Sequence, residues 1–193
     1  MSKKVEIRTP RLRLLAFDDR HLTKEYLGWL NDRDLMRFSE QRRRAHTFES
    51  CTAYWHSFQD TCNHFVAIER TQGNPIFIGT ATLYVDQHSG VANIGILIGD
   101  RSAQCQGLGS EAWIGLMHFA FEKLGMRKVE GGALSVNEPI MRLFHKVGLR
   151  SDGRRTRQAL WEGKEVDLVF LASFRDEWNT PIPVELDSGS RSS

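Results

Sequence analysis

Two glycines one residue apart, Gly107 and Gly109, sit inside Gln104-Cys105-Gln106-Gly107-Leu108-Gly109-Ser110. Glycine lets the backbone approach a ligand closely and adopt φ angles that a Cβ disfavours. A chain that leaves a strand near Gly99, turns through Gln104 to Gly109 and opens a helix at Ser110 points successive N–H groups into one concavity. That concavity lies at the positive end of the helix dipole and suits a phosphate or diphosphate. No Lys-Ser or Lys-Thr follows Gly109, and the three-glycine dinucleotide fingerprint is incomplete, so two better-known phosphate loops are excluded. An ordinary turn into a helix would satisfy the same residues. Cys105, among these donors, has a setting that can lower a thiol pKa and make a nucleophile.

Gln104, Gly107 and Gly109 fill the pattern Gln/Arg-x-x-Gly-x-Gly/Ala, and the segment resembles the acetyl-CoA-binding signature of the GNAT superfamily of N-acyltransferases. A second block, Asn137 to Leu149, resembles that family's Asn-x-x-(small)-x-x-x-Tyr-x-x-x-Gly-Phe. Asn137 and Gly148 match it. Ile140 replaces the small residue, Leu149 replaces Phe, and Phe144 replaces the tyrosine that commonly protonates the departing CoA thiolate. The alternating stretch through Arg11-Leu12-Arg13-Leu14-Leu15 resembles the opening strand of the branch holding ribosomal-protein N-terminal and amino-sugar acetyltransferases.

The resemblance implies a fold and a chemistry. The fold is an α/β (α+β) domain, a GNAT-like mixed and mostly antiparallel sheet of about seven strands, with helices on both faces and one splayed strand pair. The cofactor is acetyl-CoA, its pantetheine arm lying between the splayed strands against Ile96, Leu97 and Ile98. Its diphosphate would rest on Gln104, Cys105, Gln106, Gly107, Leu108, Gly109 and Ser110, with Asn137 and Phe144 beside the arm. Asn137 serves equally as a helix cap. Transfer in this superfamily is direct, which makes Cys105 structural. Asn93 stands where relatives often carry a glutamate base, and it cannot take a proton. Glu130, facing the cleft, and His145, beside the acid position, are then the catalytic candidates, with Glu40, Asp32 and a water relay as alternatives.

These residues need elements to hold them. Residues 5–17 alternate as one half-buried strand, and Asp18 or Asp19 can cap a helix carrying Leu22, Tyr26, Leu27 and Leu30. Residues 35–46 are irregular, and Thr47 with Ser50 opens a second helix through Phe58. The resemblance makes this helix-loop-helix one wall of the acceptor cleft, with Trp29, Asn31, Ser39, Glu40 and Arg42 as acceptor contacts. By helical spacing alone, Trp29 and Tyr54 are packing residues. Strands follow at residues 64–70, 76–85 and 91–99. A helix over residues 110–124, a strand over 127–136, a helix over 139–147 and a hairpin around Glu162-Gly163 complete the order.

At 193 residues the chain is read as one domain over residues 5–176, followed by a disordered tail over 179–193 rich in Pro, Ser and Gly. With 26 basic against 24 acidic residues, whole-protein attraction to nucleic acid is not implied, and neither nucleic acid nor membrane insertion is expected. Three cysteines without paired spacing indicate neither a disulfide framework nor a metal site and fit a soluble protein of the reducing cytoplasm. The leading reading is direct acetyl transfer to a primary amine of a small molecule, with an amino sugar, free or nucleotide-linked, favoured. The alternatives are acetylation of a protein N-terminus and, from another class, a non-catalytic acyl-CoA-binding module. A homodimer is one possible assembly.

Overall fold

The computed structural model describes residues 5–187, in which nine strands form one sheet. In chain order they are β1 (Glu6–Arg8), β2 (Leu12–Ala16), β3 (His64–Arg70), β4 (Ile76–Asp86), β5 (Val91–Ile98), β6 (Lys128–Leu134), β7 (Arg150–Trp161), β8 (Lys164–Phe174) and β9 (Glu185–Leu186). Across the sheet the order is β7-β8-β6-β5-β4-β3-β2-β1-β9, and every pairing is antiparallel except β5 with β6. The helices are α1 (Lys24–Asn31), α2 (Phe48–His56), α3 (Leu108–His118) and α4 (Glu138–Lys146).

The mixed sheet with helices on both faces agrees with the expectation, and the strand count rises from seven to nine for two local reasons. The single strand read over residues 5–17 is a hairpin. Pro10 cannot donate to a ladder, and Thr9 closes the turn by donating N–H to the Leu12 carbonyl at 3.0 Å, which sets Ile7 opposite Leu14. The second reason is β9. The tail expected from residue 179 is described as far as 187, where Leu186 pairs with Ile7. Ile182, Val184 and Leu186 alternate and pack on the core beside Trp178, giving the segment apolar surface to bury. Residues 188–193 of that expected tail lie outside the described residues.

Each face of the sheet carries its own helices. On one face α3 and α4 cover a core in which Trp113, Phe121 and Phe144 are fully buried, each worth about 1.5–3 kcal/mol of burial. On the other, α1 and α2 cover an aromatic cluster of Phe17, Tyr26, Phe58 and Phe65. Thr47 and Ser50 form the capping box of α2. Asp18 caps only a short 3-10 turn, while Thr23 caps α1, accepting from the Tyr26 N–H at 3.2 Å. A π-helical turn, Phe119–Lys123, extends α3 toward Leu124. Among the described residues no helix is long and apolar enough to cross a membrane.

The feature that positions a site is where β5 and β6 part. They pair only at Val91–Lys128, Ala92–Val129 and Asn93–Glu130. Beyond that β6 pairs on its other side with β8 and β5 with β4, so each keeps one edge free.

Candidate active site

The glycine loop begins beneath an indole. A Cβ on Gly99 would lie 2.0 Å from Trp29 Cδ2, so only glycine fits at the end of β5. Asp100 caps a short 3-10 turn, and the Gln104 amide donates to the Ile98 carbonyl at 3.0 Å. Cys105 (φ 59°) and Gly107 (φ 76°) are both left-handed and flank Gln106, the kind of turn that gathers backbone N–H groups into a concavity. α3 starts at Leu108, two residues before the expected Ser110, because Gly107 takes the N-cap position. It supplies no side-chain cap, which leaves first-turn amides for a ligand.

A buried carboxylate holds this loop in place. Glu111 on α3 is only 6 % exposed and accepts from Thr9 Oγ1 at 2.7 Å, the Arg11 N–H at 2.8 Å and Arg11 Nε at 2.6 Å. Arg11 then donates Nη1 to the Gln106 carbonyl at 3.1 Å. The β1–β2 turn is thereby tied to the loop, and one loop carbonyl is drawn onto a cation. A Cβ placed on Gly107 would be 3.2 Å from Lys146 Nζ and 3.7 Å from Arg11 Nη2, so two cations stand beside the concavity.

From the loop a cavity of about 490 Å³ runs into the splay. Ile96, Leu97 and Ile98 form one wall, and Asn137, Ile140 and Leu143 the other. Asn137 caps α4 weakly, accepting from the Ile140 N–H at 3.4 Å, and also lines the cavity. Residues 34–39 form its roof, fastened to the β7–β8 hairpin. Phe38 stacks on Trp161 at 5.5 Å, Trp161 Nε1 donates to the Arg37 carbonyl at 3.1 Å, and Arg42 Nη2 reaches the Leu160 carbonyl at 3.4 Å.

At the closed end of the splay a row of polar groups crosses the face that carries α1 and α2. The hydroxyls of Tyr54 and Tyr84 lie 2.9 Å apart; Tyr84 is the cross-strand partner of Asn93, and Asn93 of Glu130. Asn93 Nδ2 approaches Glu130 Oε1 at 3.4 Å, and Lys128 Nζ bridges Glu130 at 3.2 Å and Asp152 at 2.6 Å. Burial is the largest single influence on Lys128 and opposes its charge, yet Asp152 and Glu130 together outweigh it and lift its pKa above the ordinary value. Burial likewise pushes the Tyr54 phenol upward.

Against this geometry the family described as "Acetyltransferase (GNAT) domain" matches residues 11–150, more than half of the chain. The chain belongs to the GNAT acetyltransferase family. It is 27% identical over 146 residues to the mouse (Mus musculus) protein named alpha/beta-tubulin-N-acetyltransferase 9, a match covering 69% of this chain and 59% of that relative, so it spans under two thirds of the relative's length. Its fold is similar to that of spermidine N-acetyltransferase from Vibrio cholerae, solved with CoA and spermine (TM-score 0.77, 17% identity, 86% of this chain and 97% of the other). It is also similar in fold to Mycobacterium smegmatis RimJ, solved with CoA-disulfide (TM-score 0.75, 17% identity, 91% and 88%).

Membership makes this an acetyltransferase domain of the GNAT type, and the cleft has what an acetyl-CoA donor would need: a loop with uncapped amides, two flanking cations and two strands with free edges. Its expected site residues separate into groups. Ile96, Leu97, Ile98, Gln104, Gly109, Asn137 and Ser39 line one cavity. Phe144 does not; it is 1 % exposed, packs edge-on against Trp113 at 5.0 Å and lies where a Cβ on Gly131 would be 2.7 Å away, in the core beneath β6. Neither catalytic candidate is in the cavity lining: Glu130 stands opposite Asn93, where β5 and β6 still pair, and His145 is exposed on α4. Trp29 packs on Phe77 at 5.1 Å; Asn31 holds His46 by two hydrogen bonds of 2.9 and 3.0 Å; Glu40 is exposed and pairs with Arg42 and Arg43. Sequence reasoning missed Arg11, Glu111, Lys146, Tyr84 and Trp161. For the first two the signal was present, as Thr-Pro-Arg-Leu and Gly-Ser-Glu-Ala, but nothing local joins them.

Proposed function

We propose that the chain transfers acetyl directly from acetyl-CoA to a primary amine of a small molecule, an amino sugar by preference, in a reducing cytoplasm that suits its three free cysteines. The observation that carries the acceptor class is the roof. Phe38 lines the cleft and is backed by Trp161, and the loop that supplies the roof carries Arg33, Arg37, Arg42, Arg43 and Arg44. A roof over the cleft that also takes the acyl carrier suits a compact acceptor better than an extended peptide. The arginines repel a polyamine and favour an acceptor bearing negative charge.

Bound acetyl-CoA supplies the activated acyl group. The chain's own residues do the rest. Amides of residues 107–110 hold the diphosphate, and Lys146 and Arg11 add charge beside them. The free edge of β5 takes the pantetheine as an added strand. Glu130, kept in place by Asn93 and Lys128, receives the proton of the amine at a carboxylate oxygen. Cys105 is outside the cavity lining, in keeping with transfer that uses no enzyme thiol.

Release of free thiol from acetyl-CoA, measured across amino sugars, peptides and polyamines, tests this. Turnover of amino sugars above the other classes supports the reading. Turnover of peptides alone would favour a second reading, a protein amine, which the name of the 27%-identical mouse relative supports. CoA binding with no amine turned over would return the chain to a non-catalytic acyl-CoA-binding module.

A further inference from the structure

We propose that a second cavity beside the acyl cleft seats an anion belonging to the acceptor, of the diphosphate class. This rests on the small-molecule reading above and narrows it to an amine whose carrier bears paired phosphates. The cavity has a volume of about 330 Å³, and its walls include Arg33, Arg42, Arg43 and Arg44. Met36 lines both this cavity and the acyl cleft, so the two adjoin.

The charges there are poorly matched from within. Asp32 could neutralise one arginine, but it is bound to Arg101 at 2.6 Å, and that hydrogen bond holds its carboxyl below the usual aspartate range. Arg42 and Arg43 share Glu40, at 3.4 and 2.9 Å. Arg33 and Arg44 have no carboxylate partner among the described residues. Four guanidiniums thus share the cavity wall with one carboxylate, Asp32, which is already paired with Arg101, an arrangement whose remaining self-repulsion an anionic ligand relieves. Planar guanidinium groups match phosphate oxygens in pairs, which a lysine cluster would not.

The loop that presents them is tied down. Asn31 and His46 exchange two hydrogen bonds, and Arg42 Nη1 donates to the Ser39 carbonyl at 2.7 Å. Fixing donors before the ligand arrives lowers the ordering cost of binding. The diphosphate of CoA is a rival occupant. It has its own seat at Gly107 with Lys146 and Arg11, and Arg101, which precedes that loop, is held by Asp32 at 2.6 Å.

Inorganic pyrophosphate titrated calorimetrically into the full chain, already saturated with CoA, tests the site. One pyrophosphate site should remain, and the Arg33→Ala/Arg44→Ala double variant should weaken it about tenfold while CoA affinity changes by less than about twofold. Both residues are exposed and their side chains make no ion pair among the described residues, so a thermal melt matching wild type is expected. In turnover, wild type should prefer a nucleoside-diphosphate-linked amino sugar over the free sugar, and the double variant should lose that preference with the free-sugar rate unchanged. Displacement of pyrophosphate by CoA, or binding indifferent to the two arginines, overturns the proposal. Arginine-dependent pyrophosphate binding with no amine acetylated would instead sink the functional reading and leave the anion site standing.

Discussion

The two halves of the cleft that we assign to the donor and the acceptor are built by different means. Around the glycine loop, backbone conformation does the positioning: left-handed residues at 105 and 107, an uncapped helix start, and a buried carboxylate that ties Arg11 to the loop. Over the other end, a loop whose one helical stretch is a 3-10 turn over Glu40–Arg43 is held by half-buried side chains, through one aromatic stack and a few hydrogen bonds to a hairpin tip. Backbone geometry is insensitive to side-chain drift, so the first half serves a ligand that never changes. The second half can be re-cut by substituting surface residues, which suits a ligand that differs between relatives.

That contrast can be broken first at Gly107. Gly107→Trp puts a bulky side chain at φ 76° against Lys146 and should weaken CoA about a thousandfold by calorimetry, with a strain cost of only about 1–2 kcal/mol in unfolding. Next, Glu130→Gln should lower kcat about a hundredfold while leaving the dissociation constant of CoA in place, because the carboxylate lies at the closed end of the splay and away from the loop. Third, Glu111→Ala should cost about 2 kcal/mol in a denaturant titration. That is less than for a fully buried pair, since Arg11 is 34 % exposed and water can partly replace its partner. CoA binding should weaken with it, and Thr9→Val should do so far less. The smallest effect is sought at the roof. Trp161→Ala should raise the acceptor KM about fivefold with CoA affinity unchanged, and an equal loss for both ligands would erase the distinction between the halves.

The same contrast explains what could be read from the chain alone. The glycine loop, the helix that follows it and the antiparallel run before it are local patterns, and they were legible to within a residue or two at their ends. The start of α3 shifted by two residues because an N-cap glycine has no side-chain signal. The clamp was invisible because Arg11 and Glu111 are 100 residues apart and each reads as an ordinary surface charge until the turn at Thr9 brings them together. Trp161 and Arg37 meet across 124 residues. Strand β9 escaped because the prolines around it outweighed a short alternation whose partner, β1, is itself only three residues long. Phe144 was placed at the cofactor by its position in a motif, whereas burial against Trp113 places it in the core.

The account rests on the loop amides gripping the diphosphate of the acyl carrier, and a crystal structure with CoA bound tests that most directly. The diphosphate oxygens should lie within about 3.2 Å of backbone nitrogens among residues 107–110, with Lys146 beside them. Density that places the diphosphate among Arg33, Arg42, Arg43 and Arg44, or on side chains with the loop amides left free, would contradict it.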